Sequence, residues 1–267
     1  MQNLPRIVRL GVPALVVVLF GGFAVWKLFI EVESPDEVST DAALEQLTED
    51  LADDGSEPAE QESTEDVPAE TTSTTVAPVP EGVVGTWTVD DDFGDFSFSN
   101  ASGSFAGFRV EKTLFVGGGQ TAVGRSGNVT GSIEIEDGAL TGASIIVDTT
   151  AMESDQSQRE SAIHRVLQSG EFPTATFDLT QAADLDTNAL EAGETVTIEA
   201  TGELTIAGVA NAVTIPIEAT VPEAGIGLIV GSAPLVWADY GVETPTSSAG
   251  TVADDGILEF QLVVRLG

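Results

Sequence analysis

The stretch SDQSQRESAIHRVLQSGEFPTATFDLT, Ser154 to Thr180, changes its periodicity once within its own length. Ser157 and Glu160 have capping-box spacing, and Ala162, Ile163, Val166 and Leu167 then place an apolar stripe on one helical face that ends at Gly170. This reads as one short helix. Pro173 stops it, and from Thr174 the pattern has period two, with Ala175, Phe177 and Leu179 on one side and Thr174, Thr176 and Asp178 on the other. A single helix therefore interrupts a succession of strands.

Outward from this stretch the alternation continues. Trp87 and Val89, Phe96 and Phe98, and Phe108 and Val110 each share a strand face, and Ile133 and Ile135 alternate with glutamates before the turn Asp137-Gly138. Beyond the helix come Val196–Ala200, which includes Ile198, then Leu204–Ile206, Val213–Ala219, Leu228 with Val230, and Leu235 with Trp237. The last run alternates Leu258, Phe260, Leu262, Val264 and Leu266 with Glu259, Gln261 and Arg265. About ten short strands in sequence, with no parallel crossover unit, predict an all-β antiparallel sheet closed or nearly closed on itself. Pro216 is expected at an edge or bulge, because proline cannot donate to a ladder.

Composition divides the 267 residues into three parts. Residues 1–30 hold an apolar run from Leu10 to Trp26 behind Arg6 and Arg9, about the length that crosses a bilayer. A cleaved signal peptide is the rival reading, but the core is long and no small-x-small site follows it. The expectation is a transmembrane helix serving as an uncleaved anchor, with the N-terminus cytoplasmic and the remainder outside, a single pass through the cell membrane. Residues 31–82 carry seventeen Asp or Glu and no Lys or Arg, and are expected to form a disordered acidic linker. A weak amphipathic helix over Asp41–Leu51, with Ala43, Leu44, Leu47 and Leu51 on one face, is the exception within it. Only residues 83–267 can bury a core, and they form the barrel domain.

Charge and counting exclude several function classes. A net charge of −35 with nine basic residues leaves no basic patch for nucleic acid. The absence of cysteine removes disulfides, thiolate metal sites and a cysteine nucleophile, and a single histidine, His164, removes a histidine-based triad. Gly117-Gly118-Gly119 lacks the Lys-Ser/Thr of a phosphate cradle, and the clusters Asp90-Asp91-Asp92 and Asp254-Asp255 lack the spacing of a calcium loop. No cofactor, metal site or catalytic constellation is read, and the chain is expected not to be an enzyme. The inward apolar set remains: Trp87, Phe96, Phe98, Phe108, Val110, Ile133, Ile135, Phe177, Leu179, Ile198 and Phe260. It lines either a packed core or a ligand tunnel.

Several motifs, in order over most of the last part, resemble one family. They are Thr86-Trp87-Thr88-Val89-Asp90, GFRVEK at 107–112, TAVGRSGNVTGSIEIEDG at 121–138, VDTTAMESDQSQRE at 147–160, EFPTATFDLT at 171–180 and TGELTIAGVANAVTIPIEA at 201–219. Together they resemble the YceI-like domain, actinobacterial members especially. The resemblance implies a lipocalin-like barrel whose elongated apolar interior encloses a polyisoprenoid or other lipid beyond the cytoplasmic membrane. It supplies no catalytic mechanism, and the tether is a departure from the soluble, exported members. The Arg-Asp often seen at the helix start is Arg159-Glu160 here. The alternative to a lipid carrier is a non-enzymatic interaction module with a filled core that binds a protein partner.

Overall fold

The computed structural model describes residues 34–54, 82–115, 118–247 and 250–267. The expected anchor of residues 1–30 lies outside them, as does much of the acidic segment. Among the described residues no helix is long and apolar enough to cross a membrane.

The strands before the central helix are β1 (Gly85–Val89), β2 (Phe96–Ser97), β3 (Asn100–Ala101), β4 (Phe105–Leu114), β5 (Gly118–Ser126), β6 (Val129–Glu136) and β7 (Ala139–Asp148). After it come β8 (Thr174–Gln181), β9 (Ala183–Asp184), β10 (Val196–Ile206), β11 (Val209–Glu223), β12 (Ile226–Val236), β13 (Thr246–Ser247) and β14 (Gly250–Leu266). Helices are α1 (Thr40–Asp54), α2 (Ser157–Val166) and α3 (Thr187–Glu191). Every ladder is antiparallel.

Eight strands form a ring in the order β1-β6-β7-β8-β10-β11-β12-β14, closed by β14 returning to β1. Two-residue turns make the tight hairpins. Asp137-Gly138 between β6 and β7 and Ala207-Gly208 between β10 and β11 have φ of 49° and 77°, and of 48° and 75°. Positive φ at both central positions matches the right-handed twist of the flanking strands.

One flank of β14 serves two partners. Its N-terminal part pairs with β4 and its last residues, Val264 to Leu266, pair with β1. Side chains satisfy the backbone where the partner changes: the Gln261 amide donates to the carbonyl of Gly103 at 3.0 Å, and Val263 N–H donates to the Ser104 hydroxyl at 3.0 Å. Pro216 pairs opposite Glu199 in the β10–β11 ladder, while pairing to β12 begins only at Ile217. Its other flank therefore carries no ladder at that point, as the missing N–H requires.

Two apolar clusters share the barrel interior. One, with Ile133, Ile135, Ile198 and Leu262, extends to Leu185 and Leu190 beside α3; the other, with Leu204, Ile206, Leu235 and Trp237, extends to Met152, Ile163 and Leu167 at α2. A third lies outside the wall. Ala43 and Leu47 of α1 pack on Ile226, Leu228, Val230 and Val263, so β12 and β14 are buried on both faces.

Within 31–82, read as a linker with one amphipathic helix over Asp41–Leu51, the described residues place a helix against the barrel wall. Thr40–Asp54 is a helix in the same compact unit as the barrel, because its apolar stripe meets an exposed apolar stripe of β12. Leu47 is fully buried there. The segment just before α1 is held by charge: Arg109 and Arg125 share Glu259, at 2.6 and 2.8 Å, and Arg125 donates to the Asp36 carbonyl at 2.9 Å. Arg109 donates to the carbonyls of Pro35 and Asp36 as well. Two guanidiniums against one carboxylate leave donors over, and main-chain oxygens of the strap accept them.

Two local expectations also change. Ser157 is the first helical residue of α2 rather than its cap; Gln156 holds the cap position with no side-chain bond, and Glu160 instead accepts from the Ser154 N–H at 3.3 Å. The helix gives way at Gln168, whose φ is 54°, before Gly170 is reached. Phe96 and Phe98 do not share a strand face, since β2 ends at Ser97 and Phe98 lies in the turn to β3. Serine and asparagine around Phe98 favour a turn over a continued strand.

Candidate functional site

The inward alternation of the wall strands produces an interior cavity of about 150 Å³. Phe108 of β4, Ile133 and Ile135 of β6, Phe177 of β8, Ile198 of β10 and Phe260 of β14 all line it. Leu185 and Leu190 line the end near α3, and Met152, Leu167 and Trp237 line the end near α2. The polar groups among the lining side chains are the hydroxyls of Thr149 and Thr176 and the indole nitrogen of Trp237, so the lining carries no titratable group. Such a surface offers burial and shape, with no directed hydrogen bonds along its length.

A second chamber of about 320 Å³ adjoins α2. Val110 and Val252 line it with Ile163 and Val166, but so do Lys112, Gln156, Gln158 and Arg159. Phe108, Leu167 and Trp237 line both chambers. The rings of Phe108 and Trp237 meet edge to face with centroids 5.0 Å apart, a favourable quadrupolar arrangement. These three side chains form the partition between an apolar interior and a mixed vestibule.

The remaining expected wall residues lie elsewhere. Trp87 is 2% exposed and its indole N–H donates to the Val83 carbonyl at 2.9 Å, so it is satisfied core rather than cavity wall. Leu179 packs against the first cluster without reaching the cavity. Phe96 and Phe98 stand on the short hairpin off the barrel sheet, with Phe96 against Gly127. Val110 belongs to the vestibule.

Several lining residues were not singled out by sequence. Leu204, Ile215, Ile229, Leu258 and Leu262 alternate in their strands just as the selected residues do, so the signal was present but undiscriminating. Leu235 and Trp237 alternate as in a strand, yet β12 ends at Val236 and Trp237 opens a 3-10 turn that carries its ring inward.

The polar candidates have structural partners. Asp90 pairs with Arg265, and Asp254 accepts from the Thr244 hydroxyl at 2.7 Å. Gly118 and Gly119 open β5, while Gly117 lies outside the described residues. Among the described residues no three His, Cys, Asp or Glu side chains gather at metal-binding distance. Arg159 pairs with Asp155, and burial pulls its guanidinium below the ordinary pKa while leaving it charged.

Comparison with known proteins agrees with this geometry. Residues 96–264 match the YceI-like domain. The chain belongs to the YceI-like family. A polyisoprenoid binding domain from Saccharophagus degradans, implicated in plant cell wall breakdown, is similar at 16% identity and a TM-score of 0.51, over 68% of this chain and 98% of that one. BcnA of Burkholderia cenocepacia shows 18% identity and a TM-score of 0.45, over 60% and 95%. The YceI protein of Campylobacter jejuni shows 15% and 0.44, over 54% and 84%. At 16% identity the likeness to the Saccharophagus degradans domain extends to the fold alone. No curated protein matches the chain. In the YceI-like barrel seen here, the cavity and its partition are the features that bear on a ligand.

Proposed function

We propose that this YceI-like barrel is a non-enzymatic carrier that takes a polyisoprenoid or similar long apolar lipid into its interior. The observation that carries the reading is the cavity itself, lined from β4 round to β14 by aliphatic and aromatic side chains and free of acids and bases. Each buried CH2-sized group contributes about 0.8 kcal/mol, so a long chain binds tightly there without a polar contact. The name of the Saccharophagus degradans relative, a polyisoprenoid binding domain, points to the same ligand class.

The cavity is about 150 Å³, a size that in other proteins accommodates roughly one benzene ring. A polyisoprenoid must therefore also occupy the vestibule, with Phe108, Leu167 and Trp237 moving aside. Loading is a side-chain rearrangement at the partition. Unlike a fully packed module, the barrel has the interior space from which such loading starts.

The carrier is held on the outer side of the cytoplasmic membrane. The apolar run Leu10–Trp26 behind Arg6 and Arg9, followed by an acidic segment with no Lys or Arg, supports that orientation. The test is mass spectrometry of organic extracts from the purified full chain, with uptake of a polyprenyl probe by delipidated protein. A long-chain isoprenoid at about one molecule per chain is the expected result. Extracts without lipid, together with no saturable uptake, would overturn the carrier reading.

A further inference from the structure

The closed ring has a split in it. β11 and β12 pair from Ile217 opposite Gly231 to Glu223 opposite Ile226. Beyond that fork β11 runs back to Val209 and β12 on to Val236, and among the described residues no ladder joins them there. Neither strand is frayed, since Val209–Ala219 pairs with β10 and Ile226–Val236 with β14. Pro216 and Pro234, one on each lip, have no N–H to donate across the gap.

A space of about 230 Å³ fills the split. The exposed Thr214 and Pro234 line it together with Ile215 and Leu235, which are buried on the inner face, so it spans the wall. Leu204, Ile215, Leu235 and Leu258 line the interior cavity as well. The split reaches that cavity at the partition: Leu258 pairs opposite Phe108, and Leu235 stands two residues before Trp237. Its lips, VANAVTIP at 209–216 and SAPLV at 232–236, hold no charged residue in a chain with 44 acids. A hydrocarbon chain crossing there desolvates no ion.

Both ends of the split are tied. At one end the Asn211 amide donates to the Asp239 carbonyl, just past β12, at 2.8 Å. At the other, α1 splints the paired half from outside: the Thr40 hydroxyl donates to Glu218 of β11, and Ala43 and Leu47 pack on Leu228 and Val230 of β12. The first tie is one exposed hydrogen bond and the second a buried apolar contact. The split therefore widens at Asn211 and hinges beneath α1.

We infer that the split between β11 and β12 is a lateral door, latched by Asn211, through which a hydrocarbon chain slides sideways between the cavity and the outside. The inference rests on the carrier reading and adds the route to it. A door sets the rates of uptake and release equally, because the closed wall is the same before and after passage. Affinity is left unchanged.

The chain has no cysteine, so Thr214→Cys and Pro234→Cys together introduce a unique pair of thiols. The two positions stand opposite each other when the Ile217–Gly231 register is carried past the fork. The full-length double variant is bridged with a bis-maleimide whose spacer is cleavable. Uptake and release of a fluorescent polyprenol are followed by stopped flow before bridging, after bridging and after cleavage. Bridging is expected to slow both by about tenfold at an unchanged equilibrium affinity, and cleavage to restore them. Asn211→Ala, with an unchanged melting curve, is expected to quicken both about fivefold, as loss of one hydrogen bond from the closed state allows. Rates untouched by the bridge overturn the door and leave the carrier standing, as does exchange at the wild-type rate in Asn211→Ala for the latch. An affinity that falls on bridging while the rates hold makes the split part of the binding site, and overturns the door too. Failure of the unbridged protein and of the wild type to bind the polyprenol overturns the carrier reading itself.

Discussion

The ring of Phe108 stands against the indole of Trp237, centroids 5.0 Å apart and planes at 81°, where the two chambers of the barrel join. Removing one ring opens the join without touching the rest of the wall. Phe108→Ala is therefore expected to speed both loading and release of a polyprenyl probe in stopped-flow fluorescence. The half-buried ring makes the stability loss smaller than the roughly 3–5 kcal/mol of a fully buried Phe→Ala change. Folded Phe108→Ala protein with wild-type exchange rates would remove the partition from the account.

The strap predicts a different effect, far from any ligand. Leu47 is fully buried against β12 and β14 although it lies in a segment whose composition is that of a spacer. Leu47→Ala in the full chain is expected to lower unfolding free energy by about 2–5 kcal/mol in a denaturant titration. A change near zero would mean that α1 does not hold to the wall in solution.

Glu259 is 1% exposed and sits between two guanidiniums. Glu259→Ala leaves both cations buried without their acid and is expected to cost about 3–5 kcal/mol. Replacing Arg109, Arg125 and Glu259 together by apolar residues of similar volume should cost much less, since it removes the charges with their partner. The comparison is read from denaturation midpoints, and equal losses in the two variants would contradict a buried triad.

Acid should reach the α2 end of the barrel through Asp148. Its carboxylate accepts from the Thr150 hydroxyl at 2.6 Å and from the Thr150 N–H at 2.8 Å, and the hydroxyl bond is the main reason its pKa lies below the ordinary value. Because the folded pKa is the lower one, the contribution is present above the unfolded value of about 3.9 and is lost as pH falls through the folded value. Asp148→Asn is expected to flatten that part of the stability-against-pH curve. An acid limb identical to wild type would show that the Thr150 bonds add nothing.

How much of this was legible in the sequence depended on which face a residue occupies. Ile133, Ile135, Phe177 and Phe260 were readable because the inner face of a closed sheet imposes strict alternation on every wall strand. Phe96 and Phe98 copy that pattern over too short a span, because the chain turns at Phe98 and Ser99. Glu259, Leu228 and Val263 fall on the outer face, where alternation implies solvent. Leu228 and Val263 are covered by α1, and Glu259 by two arginines that also hold the segment before α1, so no local pattern reports partners so far away in the chain. The stripe Ala43, Leu44, Leu47 and Leu51 is visible in the sequence, but the acidic residues around it favour a solvated segment, and the apolar face of β12 and β14 that receives it has no local signature. The partition was not legible at all, because it depends on Trp237 turning inward just after β12 ends.

The central claim is that the interior is a place for a lipid chain. A crystal structure of the full chain grown with a brominated polyprenyl chain tests it most directly through the anomalous signal of bromine. The account predicts bromine sites running inside the barrel past Phe260 and between the displaced rings of Phe108 and Trp237. Bromine only on the outer surface, with the interior unchanged and those two rings still edge to face, would contradict it.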